Sequence, residues 1–173
     1  MNKRLAFILI AFVFGVSTTI IFDLITLFRT EVFSTSFPNY GLVGRWICHM
    51  ADGQFFHESI KHSAPQSGER LIGWVAHYLI GLIYAVVFLI TVDPKWRLYP
   101  KMLPAVIFGI ATVLAPFLLM QPAMGAGVAA SLTPDPMAAR ISSFINHACF
   151  GLSLYLAGQL LALWGPKTDH LHE

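Results

Sequence analysis

Charge is scarce in this chain. Of 173 residues only 12% are Asp, Glu, Lys or Arg, where a soluble domain carries about 25%. The apolar residues, 56% of the total, are too many for a chain of this size to hide, because small domains leave much of their surface exposed. Lipid is the natural solvent for the excess, so the bilayer is the expected partner. Cysteine is nearly missing too. Cys48 and Cys149 form no C-x-x-C pair, so neither a disulfide framework nor a cysteine zinc site is indicated. A net charge of +2, without a basic stripe interleaved with aromatics, gives no case for nucleic acid. Gly125-Ala-Gly127 follows no strand and precedes no Lys-Ser/Thr, so it is not a phosphate loop.

What is present is apolar run length. Residues 5–28, 71–92, 102–120 and 141–164 each approach the ~20 apolar residues needed to cross ~30 Å of hydrocarbon. The expected fold is all-α: a four-transmembrane-helix bundle forming one integral-membrane domain over 1–173. The first run follows Lys3 and Arg4 but exceeds a signal-peptide core and lacks a cleavage pattern, so it is expected to be retained. In the extramembrane loop 29–69, apolar positions 42, 43, 46, 47 and 50 have helical spacing. They predict a short interfacial helix within 41–62, with Ser67 as the N-cap of the next span. Asp135-Pro136 reads as the start of the last helix. Pro116 should kink the third. The segment from Gln121 to Ser131, dense in small residues, is expected to pack tightly or re-enter. The chain from Gly165 on, with His170 and His172, reads as a polar tail.

Lys3, Arg4, Lys95, Arg97, Lys101 and Lys167 fall on one side of this arrangement. The positive-inside rule then places both termini in the cytoplasm. Arg45, Trp46, Arg70 and Arg140 sit where side chains meet lipid headgroups.

Two stretches echo each other. Arg70 to Leu82 and Arg140 to Leu152 share Arg, aliphatic, aromatic, His, Gly and Leu at equal spacings, with His77 matching His147. Val13–Thr18 matches Ile107–Thr112 in the other two runs. The pattern predicts a duplicated helical hairpin related by an axis along the membrane normal. Asp23 is the one acid inside the four runs. An intramembrane acid faces the bundle interior or a water-filled cavity. Counted along each run, Asp23, His77 and His147 lie at one depth, a level that Thr112 and Pro116 bracket, with Thr19 one turn from Asp23. The predicted binding layer is therefore Asp23, His77, His147, Thr19 and Thr112.

Three readings of that layer stand side by side. It can hold a ligand or handle protons. His77 and His147 can ligate haem or a divalent metal, which is not favoured over no cofactor. Or the histidines are structural, in a membrane assembly protein whose partner is a second copy or another membrane protein. No nucleophile–base pair is legible, so an enzyme is least favoured. The loop histidines His49, His57 and His62 lack ligand spacing and read as solvated.

Gly44-Arg45-Trp46, Gly73-Trp74 with His77-Tyr78, Met120-Gln121-Pro122 with Gly125-x-Gly127, and Thr133-Pro134 resemble the signature of an uncharacterised bacterial membrane family, a domain of unknown function. The resemblance covers most of the chain. It implies a multi-pass bacterial inner-membrane protein and implies no activity.

Overall fold

The computed structural model describes residues 2–164. The chain from Gly165, with His170 and His172, lies outside them. Five α-helices carry the fold: α1 (Lys3–Phe33), α2 (Tyr40–Ala51), α3 (Glu69–Thr91), α4 (Met102–Ala111) and α5 (Pro136–Trp164). No strand occurs among the described residues. Four helical segments are long and apolar enough to cross a membrane: α1, α3, α5 and the stretch Met102–Ala123 that α4 begins.

Hydropathy marks the hydrocarbon, not the helix ends. α1 runs past the expected residue 28 to Phe33, and α5 begins at Pro136 rather than 141. Asp135 caps α5 as expected, its Oδ1 accepting from Ala138 N at 3.0 Å. Ser67 does not cap α3. Gly68 takes that position with φ +76°, and Glu69 folds back to accept from Gln66 N at 2.8 Å. The short loop helix forms over Tyr40–Ala51 and stops before Gly53 (φ +83°). Past Ala111 the third span leaves α-helical geometry. Pro116, which has no N–H to give, opens a π-helical turn over Pro116–Met120.

The apolar and polar surfaces are inverted relative to a soluble bundle. Leu9, Leu24, Ile83, Ile90, Leu103 and Leu160 are exposed, while Thr18, Thr19, Asp23, Thr112 and Ser153 are buried. In lipid each polar group needs an internal partner. The hydroxyls of Thr19, Thr26 and Thr30 donate to the carbonyls four residues back, of Gly15, Phe22 and Thr26.

α1 packs on both α3 and α5, and α4 packs on α5. α3 and α5 face each other across the bundle and meet through side chains such as Tyr84 and Phe150. One end is sealed. Phe14, Phe88 and Trp96, each 5% exposed or less, stack there, and the Trp96 indole sits on Gly158. Such pairs contribute about 0.5–1.5 kcal/mol each beyond area burial.

The two extramembrane connections form a cap at the other end. α2 lies against the first turns of α3 at backbone contact. A Cβ on Gly44 would overlap the Glu69 carbonyl oxygen, and one on Gly73 would overlap that of Tyr40. Arg45 holds the following loop. It pairs with both Glu69 oxygens at 2.8 Å and donates to the carbonyls of Ile60 and Ser63. Residues 52–63 then dock on the small-residue segment: His57 N donates to Ala123 O (2.9 Å) and Ile60 N to Met124 O (3.0 Å), with Gly125 against Glu58.

Candidate functional site: an intramembrane Asp–His cavity

A cavity of about 220 Å³ lies between α1, α3, α4 and α5. Thr19, His77, Thr112 and His147, four of the five residues expected in the layer, line it, together with Tyr40, Tyr84, Asn146, Phe22 and Phe150. Asp23, the fifth, stands behind His77. Its Oδ1 lies 2.9 Å from His77 Nε2. Its Oδ2 accepts from the Tyr78 hydroxyl at 3.1 Å.

Each histidine has its tautomer set by the partner of one ring nitrogen. The carboxylate of Asp23 only accepts, so His77 presents Nε2–H to it. Thr112 Oγ1 lies 2.5 Å from the Gly109 carbonyl and 2.7 Å from His147 Nδ1. A carbonyl has no proton to give. The hydroxyl must therefore donate to Gly109 and accept from His147 Nδ1–H. In the neutral rings this leaves His77 Nδ1 and His147 Nε2 as bare lone pairs. Neither is among the sealed, partnerless polar atoms, which are Thr18 Oγ1, Tyr40 Oη, His57 Nδ1 and Gln121 Oε1.

The unequal partners follow from packing register. Gly15 of α1 lies against Leu82 and Ala85 of α3, whereas Gly109 of α4 lies against His147 and Gly151 of α5. In the motif alignment Gly15 matches Gly109, and Leu82 matches Leu152. The α4 contact is thus about one turn displaced. His77 consequently meets Asp23, and His147 meets Thr112, which matches Thr18 and not Asp23.

Several site residues carry no mark in the sequence. Tyr40 enters from α2 and stacks on His77, with centroids 4.0 Å apart and planes 18° apart. Burial, then the charge of Asp23, pushes its phenol well above the usual range, so it stays a donor. Asn146 has its carbonyl oxygen held by Arg29 Nη1 at 2.7 Å, which leaves its amide hydrogens unclaimed. The available signals were adjacency, Asn146 beside His147 and Tyr78 beside His77. For Tyr40 only the Asn39 cap of α2 hinted at a defined position.

The residues expected at headgroups divide. Arg70 is exposed. Arg45 is committed to Glu69 and the loop, Trp46 Nε1 donates to Phe55 O (2.9 Å), and Arg140 Nε donates to Ala129 O (2.7 Å).

The reading of the loop histidines as solvated needs correction for two of them. His49 and His57 are 6% and 8% exposed, and His49 Nδ1 lies 2.8 Å from His57 Nε2. The docked loop covers them, a long-range effect that local polarity does not reveal. His62 is exposed.

No curated protein and no solved structure matches the chain significantly. A family model does match, over residues 12–161, which include the Asp–His cavity and its cap. The chain belongs to the family described as protein of unknown function DUF2938.

Proposed function

We propose that this is a multi-pass protein of the bacterial inner membrane, both termini cytoplasmic, that binds a small ligand and handles a proton at Asp23, His77 and His147. In this reading the two hairpins descend from one duplicated unit. One observation carries it: two histidines line one cavity, and only His77 is backed by a carboxylate. A positive charge on His77 is stabilised by Asp23, while one on His147 meets only a hydroxyl. The two sides of the cavity are therefore unequal, and that inequality gives the site a direction.

The cofactor readings fit less well. The cavity is smaller than the ~300–1,000 Å³ of drug-sized ligand sites, and haem is larger than such ligands. A divalent metal would find two imidazoles; among the described residues no group of three or more His, Cys, Asp or Glu is placed to hold one.

The test is ¹⁵N-histidine NMR of the protein in nanodiscs across pH. Asp23→Asn should shift the titration of His77 and leave that of His147 nearly in place, while Phe117→Leu moves neither. If Asp23→Asn leaves His77 unchanged, the proton-handling reading is wrong.

A further inference from the structure

The hydrogen-bond partners of the lining groups fix the polarity those groups present to the cavity. His77 Nδ1 and His147 Nε2 can only accept, because their opposite nitrogens hold the ring protons against Asp23 and Thr112. The Asn146 oxygen already accepts from Arg29, and its two amide hydrogens remain free to donate. Acceptors and donors thus line one space and do not satisfy one another.

Charge narrows the occupant further. No Asp, Glu, Lys or Arg lines the cavity. Both oxygens of Asp23 are already engaged. An ion entering would find no free counter-charge in a low-dielectric surround. Size narrows it again. A cavity of ~150 Å³ holds a benzene ring, and this one is about 220 Å³, with Phe22, Phe150, Tyr40 and Tyr84 offering aromatic faces.

We propose that the cavity binds an uncharged molecule of single-ring size bearing a hydroxyl, which donates to a histidine lone pair and accepts from the Asn146 amide. This rests on the reading of the cavity as a ligand site. A hydroxyl is the smallest group that answers both polarities at once. Its apolar body replaces water against the aromatic walls.

The test uses the whole protein in nanodiscs, with phenol and anisole as matched probes; methylation removes the donor and keeps the ring. Without any ligand, ¹⁵N spectra at neutral pH should show protonated Nε2 on His77 and protonated Nδ1 on His147. Phenol should shift the bare nitrogens saturably. Anisole should bind about tenfold more weakly, the worth of one hydrogen bond at the upper end of its range. His147→Phe should weaken phenol by a similar factor. If that variant does not fold, Asn146→Leu serves, removing the donor side.

Opposite tautomers, equal binding of phenol and anisole, preferential binding of benzoate, or displacement of the signals by Zn²⁺ alone would each overturn the assignment. The two readings fail separately. If phenol does not bind but Asp23→Asn still moves His77, the ligand class is wrong and proton handling stands. If Asp23→Asn moves nothing, the underlying reading has failed.

Discussion

Two pairs of histidines occupy this molecule, and they are built in opposite ways. In the cap, His49 and His57 bond to each other. His49 Nε2 faces the Ala64 carbonyl at 3.1 Å, so it carries a proton. His49 Nδ1 must then accept from His57 Nε2–H, and the chain of bonds ends on a sealed His57 Nδ1. In the bundle, His77 and His147 are each bonded to something else and spend their free nitrogens on a shared cavity. The first arrangement spends three ring nitrogens on internal bonds, seals the fourth, and fastens a loop. The second leaves capacity for a guest. A histidine's use is set by where its second nitrogen is spent.

The largest effect should come from separating the bundle pair. His77→Phe leaves the Asp23 carboxylate with Tyr78 alone, and stranding a buried charge costs about 3–5 kcal/mol. Denaturation in mild detergent should show it as a sharply lowered midpoint.

The cap pair should respond next. His57→Ala strips His49 Nδ1 of its donor and should cost about 1–3 kcal/mol. The double variant His49→Phe/His57→Phe should cost less than the sum of the singles, since both partners go together. An additive double would mean that the 2.8 Å contact contributes nothing.

Smaller still is His147→Phe. Thr112 keeps its bond to Gly109 and loses only what it accepts, so the expected cost is about 0.5–1.5 kcal/mol. A loss as large as that of His77→Phe would erase the distinction between the two sides of the cavity.

The same contrast separates what the sequence discloses from what it conceals. Asp23, His77 and His147 stand out because each interrupts an apolar run, where a polar residue needs a reason. His49 and His57 sit among polar neighbours, so nothing local sets them apart. Their burial depends on His57 N reaching Ala123 and Ile60 N reaching Met124, contacts more than sixty residues away in the chain. Tyr40 is hidden for the same cause, since its place on His77 follows from Gly44 and Gly73 meeting across α2 and α3. The echoed motif aligns His77 with His147, and both line the cavity. It could not foretell the one-turn displacement that gives them different partners, because register is decided where side chains interlock.

The contact between Gly44 and Gly73 also constrains how the protein is made. α2 emerges from the ribosome before α3, yet the first turns of α3 are the surface it must lie against. At about 5–20 residues per second, seconds pass between the completion of α2 at Ala51 and that of α3 at Thr91. Through that interval α2 waits without its partner, its two glycines facing nothing. Tyr40 cannot stack on His77 until α3 has been made. This part of the cap is therefore assembled backwards relative to synthesis, and it can form before the walls that α4 and α5 supply.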